Sequence, residues 1–113
     1  MSKWPVPCEA EFKRLAKHDP ARLVAWIDAN VLSIADLTFA AEWLGAADTP
    51  DAEDVLLGLT KHYEAVVREG AVLGIGRCMV DDRDTDAMRA RLHVMAREDS
   101  SPGVRATAED MLG

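Results

Sequence analysis

The stretch VREGAVLGIG, residues 67–76, decides the fold, because it returns twice elsewhere in the chain. DLTFAAEWLG (36–45) and VRATAEDMLG (104–113) align with it without gaps, at offsets of 31 and 37 residues. Alanine recurs at Ala40, Ala71 and Ala108. A large aliphatic recurs at Leu44, Ile75 and Leu112, and glycine follows at Gly45, Gly76 and Gly113. Valine and arginine open two of the three segments, as Val67-Arg68 and Val104-Arg105. An alanine and an aliphatic four positions apart share one helix face. The small residue lets a neighbouring helix approach, and the larger one fills the space behind it. Gly70 and Gly74, also four apart, allow a still closer crossing. Glycines in a helix cost about 1 kcal/mol each against alanine, so packing and not propensity holds them there.

Each segment follows another amphipathic stretch, containing Leu23, Val24, Trp26 and Ile27, then Val55 to Leu57 with Leu59, then Met88, Leu92 and Met95. A helix hairpin with one apolar face cannot bury that face alone, whereas stacked hairpins bury it between neighbours. The punctuation agrees. Asp19-Pro20, Thr49-Pro50 and Ser101-Pro102 each read as a capping residue followed by a proline in the first helical position. Ser33 with Asp36 forms a capping box, and Thr85 caps one helix more. Apolar positions recur at three and four, and no stretch keeps a period of two. The expectation is an all-α chain of seven helices at about 9–18, 20–30, 34–47, 50–62, 64–80, 86–98 and 102–112, joined by short links that make neighbours antiparallel.

The pattern Val-Arg-x-x-Ala-x-x-x-(Ile/Leu)-Gly resembles the second helix of a HEAT repeat, and Ser100-Ser101-Pro102-Gly103-Val104-Arg105 resembles the turn into it. The resemblance covers three helix pairs, roughly residues 20–113. The first pair departs from it, with Asp36-Leu37 in place of Val-Arg. It implies one domain over residues 1–113: a short α-solenoid of about three antiparallel hairpins, an extra N-terminal capping helix, and an extended arm at 1–8. It further implies a scaffold that binds proteins along a curved surface, with Arg68 and Arg105 tying adjacent repeats together.

Composition narrows the function. The chain has 113 residues, 49% hydrophobic and 29% charged, with a net charge of −7. That size supports one modest core. The charge has the wrong sign for binding a duplex or an anionic membrane through counterion release, and suits a basic protein partner. The first residues lack the apolar core of a signal peptide. Cys8 and Cys78 are 70 apart, which fits neither a zinc site nor a disulfide framework, and they read as reduced thiols of a cytoplasmic protein.

No catalytic, cofactor or metal constellation is legible. Asp82, Asp84 and Asp86 have the spacing of the first EF-hand ligands, but Ala87 replaces the turn glycine and His93 the final glutamate. Asp81, Asp82, Asp84 and Asp86 therefore read as a solvated acidic patch that caps the next helix, with protein binding as the functional alternative. His18, His62 and His93 form no ligand pair, and His18 and His62 fall near helix C-termini. Gly74-Ile75-Gly76 lies inside a helix pattern and lacks the third glycine of a dinucleotide loop. Trp26 and Trp43 fall on apolar faces and read as core; Trp4 is either packed on the first helix or an anchor for a partner.

If the hairpins stack, the second helices line an inner face presenting Thr38, Glu42, Glu69, Val72, Leu73, Glu109 and Asp110, an acidic surface with aliphatic anchors suited to a basic protein. The leading expectation is a noncatalytic protein-binding module, in its sharpest form a small bacterial inhibitor or immunity protein that masks a basic toxin. The alternative is a structural adaptor or assembly factor, including a homo-oligomer. A third is an enzyme of the kinds the resemblance allows, such as a phycobilin lyase-like protein. HEAT-like DNA glycosylases need a basic groove that this charge opposes.

Overall fold

The computed structural model describes residues 9–113; the arm at 1–8, with Trp4 and Cys8, lies outside the described residues. The helices are α1 (Glu9–His18), α2 (Pro20–Asp28), α3 (Ile34–Leu44), α4 (Pro50–Leu59), α5 (Ala65–Val80), α6 (Asp86–Glu98) and α7 (Pro102–Leu112), with no strand among the described residues. No helix among them is long and apolar enough to cross a membrane.

The caps fall where the sequence places them. Asp19, Ser33, Thr49, Thr85 and Ser101 each accept the backbone N–H three residues on, from Arg22, Asp36, Ala52, Met88 and Val104. Each bond satisfies one of the donors a helix start leaves open. Helix α5 begins differently: Glu64 makes no side-chain cap, and its own N–H donates to His62 Nδ1 at 3.0 Å. Three helices end two or three residues earlier than the periodicity predicts. After α2, Asn30 turns into the left-handed region at φ 56°. After α3, Gly45 is pressed against Gly74 of α5. After α4, Thr60 is buried, and Arg91 of α6 donates to both its hydroxyl and its carbonyl. His62 therefore sits in the turn after α4, not at the helix end.

Helix α1 packs on α3, α3 on α5, and α5 on α7, so these four form one row. Helices α2 and α4 touch each other and pack behind α3, α4 reaches α5, and α6 pairs with α7. The molecule extends 44 Å along its long axis and 19 Å along its shortest. One apolar cluster runs through all seven helices, from Phe12 to Ala108. Ala40, Ala71 and Ala108 are all fully buried within it. Trp26 lies in it too, edge-on to Phe12 at 6.5 Å between centroids.

The tightest contact is between α3 and α5. A Cβ on Gly70 would stand 2.5 Å from the Thr38 carbonyl oxygen, and one on Gly74 would stand 2.6 Å from that of Ala41. One on Gly45 would collide with the Gly74 backbone. These obstacles are main chain and cannot swing aside, so only glycine allows this separation. Gly58 on α4 has nothing within 4 Å. Gly70→Ala and Gly74→Ala should each lower stability by about 1–3 kcal/mol through overpacking, whereas Gly58→Ala should raise it by about 0.5–1 kcal/mol. Denaturation followed by circular dichroism checks the contrast. Equal effects at all three positions would mean that α3 and α5 do not approach this closely.

Candidate functional site

The row α1–α3–α5–α7 carries a groove of about 460 Å³, lined by Lys13 and Lys17 of α1, Glu42, Trp43 and Ala46 after and within α3, Leu73, Gly76, Arg77, Val80 and Asp81 along α5, and Met111 of α7. Its α5 wall follows from helix periodicity: Leu73, Arg77 and Val80 keep one stripe. Leu73 and Arg77 are half-buried and Val80 is 86% exposed; Phe39 and Val66, also exposed, lie outside the lining.

Trp43 organises the groove. The Arg77 guanidinium lies 3.7 Å from its ring centroid and Lys13 Nζ lies 5.3 Å from it, so the ring has cations against its π-system. The indole N–H donates to Glu9 Oε1 at 3.2 Å, and Arg77 donates to Glu42 Oε1 at 2.8 Å. Arg77 Nε is buried with no hydrogen-bond partner among the described residues. Trp43, expected in the core, is thus half-buried at its edge. Its apolar body packs inward while its polar tip stays wet.

The residues expected on the inner face divide. Leu73 and Glu42 line the groove. Glu109 and Asp110 are exposed on α7. Thr38 is half-buried beneath the α3–α5 crossing, and its hydroxyl donates to the Ile34 carbonyl. Glu69 accepts a hydrogen bond from Thr107 of α7 at 3.2 Å. Val72 is a correction: it is fully buried and cannot touch a partner. Helix α5 has neighbours on both sides in the row and α4 behind it, so its buried arc is wider than one stripe. Sequence reading missed Lys13, Lys17, Arg77, Val80 and Met111. Their one signal was helical spacing, since Arg77 and Val80 continue the Leu73 stripe.

Of the two arginines expected to tie repeats together, Arg68 makes a long-range link and Arg105 a local one. Arg68 donates to both carboxylate oxygens of Asp99, at 2.9 and 3.0 Å, and to the His62 carbonyl six residues before it. Arg105 donates to the Asp99 carbonyl, also six residues before it. The two arginines thus repeat one local bond, and Arg68 adds a link 31 residues ahead. The acidic patch is partly neutralised internally: Asp81 pairs with Arg83 and Asp84 with Arg89, while Asp82 and Asp86 are exposed. Its acids do not converge, and no set of three candidate metal ligands forms among the described residues.

Burial pushes the Asp99 carboxyl upward, but the Arg68 hydrogen bonds, the Ser101 N–H and the charges of Arg68 and Arg91 outweigh it and hold it below the usual 3.8. A depressed carboxyl stabilises the fold above its unfolded value, and that contribution is lost as pH falls through the folded value. Asp99→Asn should therefore cost about 2 kcal/mol at neutral pH and flatten the loss of stability below about pH 4. Melting curves across pH 2–7 check both; an unchanged acid slope would remove Asp99 from that role. Burial pushes the Cys78 thiol up, and its Sγ donates to the Gly45 carbonyl. In a Cys8→Ser background Cys78 should react with a thiol reagent only on unfolding, by the loss of thiolate character and access. Rapid labelling of the folded protein would contradict that.

No family model, no curated protein and no solved structure matches the chain.

Proposed function

We propose that this chain is a noncatalytic protein-binding module of HEAT-like stacked hairpins, a short α-solenoid in which α1 caps the row α3–α5–α7. Its most concrete form is a small acidic inhibitor of immunity type that masks a basic protein. The observation that carries the reading is the groove itself, whose apolar lining is Trp43, Ala46, Leu73, Val80 and Met111, with Val80 standing exposed at its end. A patch of aliphatic and aromatic side chains rimmed by charge is the anatomy of a binding hot spot. The repeated Arg68 and Arg105 bonds and the serial packing of α3, α5 and α7 support the solenoid arrangement.

Charge divides between steering and seating in this reading. The net charge of −7 and the exposed acids Asp82, Asp86, Glu109 and Asp110 draw in a basic partner from a distance. The groove then holds an apolar segment of that partner. Glu42 and Glu69, which the sequence offers to the partner as acid, each have an internal hydrogen-bond donor and contribute less to it.

The test uses the tagged full chain, captured from its native host at low and moderate salt, beside Leu73→Glu/Val80→Glu. The double variant should melt within a few degrees of the parent and lose one stoichiometric, salt-sensitive partner by tenfold or more, about 1.4 kcal/mol. A partner retained by the variant would place the interface elsewhere. A mass that rises with protein concentration, with no foreign partner, would favour the homo-oligomeric adaptor.

A further inference from the structure

The groove does not share the acidity of the molecule. Among its lining residues are three cations, Lys13, Lys17 and Arg77, and two carboxylates, Glu42 and Asp81, in a chain of net charge −7. The carboxylates already have donors: Arg77 on Glu42 and Arg83 on Asp81. Glu9, at the rim, accepts the Trp43 indole N–H. Lys13 and Lys17 are exposed, and neither has a carboxylate within ion-pair reach among the described residues. They sit four apart on α1, about 6 Å along its axis, a spacing that matches two side chains one turn apart on another helix.

On α5 the groove is lined from Leu73 to Asp81, about 12 Å of helix axis or a little over two turns. The described chain offers no sheet edge, so a peptide cannot dock by adding a strand. Laying an amphipathic helix into the groove is a mode that needs no sheet edge and matches the spacing of the two lysines. Resting on the proposed binding role, we infer that the groove seats an amphipathic helix of the partner protein whose apolar stripe is bordered by two carboxylates one turn apart, paired with Lys13 and Lys17. Apolar anchors against Leu73, Val80 and Met111 supply affinity. The lysine pair sets the register and excludes a helix with basic residues at those positions. A partner that is basic overall can carry such a helix, because the pair reads two side chains and not net charge.

The experiment is selection from a displayed library of 14- to 18-residue helical peptides on three full-length proteins: the parent, Lys13→Glu/Lys17→Glu, and Leu73→Glu/Val80→Glu. All substituted positions but Leu73 are exposed, and circular dichroism melts verify that each protein is folded. The parent should select apolar stripes flanked by Asp or Glu at positions four apart. Those peptides should bind Lys13→Glu/Lys17→Glu at least tenfold more weakly, and selection on that variant should switch the flanking pair to Lys or Arg. Parent-selected peptides that keep their affinity for the lysine variant but lose it on Leu73→Glu/Val80→Glu would overturn the charge pairing and leave the groove reading standing. Peptides indifferent to both variants, or no peptides selected by the parent, would overturn the helix inference, and the first of these would remove the groove as the binding site as well.

Discussion

The structure depends on the backbone approach of α3 to α5. Gly70 and Gly74 lay main chain against the Thr38 and Ala41 carbonyls, and Gly45 closes the same seam where α3 ends. Every other layer takes its position from this one. Helix α1 packs on α3 and α7 on α5, so the separation of the central pair sets the width of the face that all four present. The stripe of Leu73, Arg77 and Val80 comes close enough to Trp43 to form one groove because Gly70 and Gly74 place no Cβ at the crossing. The propensity cost of glycine, about 1 kcal/mol per position, is offset by packing that Ala40, Ala71, Val72 and Ile75 make at full burial.

Arginine holds the turns. Arg68 binds Asp99 and the His62 carbonyl, Arg83 reaches the Gly45 carbonyl at 2.7 Å, and Arg91 takes the hydroxyl and carbonyl of Thr60. Each joins a helix or loop to a turn some 31 to 38 residues away. A guanidinium can do this because its donors are fixed in a planar fork that serves several acceptors at once. Carbonyls at helix ends lack intrahelical partners and carry partial negative charge, which makes them natural acceptors for these cations. Much of the basic content of an acidic chain therefore serves its own framework.

In the proposed binding role, net charge and groove charge act at two ranges. At distances beyond the molecule, the surplus of acid sets the field, and salt screens it over about 10 Å at 0.1 M. At contact, that role falls to the groove with its α5 lining and lysine pair. Such an arrangement would separate speed of encounter from choice of docking segment, because the exposed acids that steer are not the residues that touch.

The sequence by itself determined the helical class, the number of helices, all five side-chain caps and the identity of the residues that let helices approach. These are local matters: a threonine before a proline caps a helix wherever it lies, and an alanine with an aliphatic four residues on marks a face in any context. The recurrence of Val-Arg in two segments matches one local bond made twice, from each arginine to the carbonyl six residues before it. Tertiary structure decided which faces remain open. Val72 and Glu109 share an aligned column, yet one is fully buried and the other exposed, because α5 lies between two helices of the row and α7 packs on α5 from one side. Lys13 and Lys17 look like the ordinary polar face of a first helix until α1 docks on α3 and brings them to Trp43. Burial and proximity are properties of pairs of elements, and a one-dimensional pattern records only the face each element offers, not the neighbour that covers it.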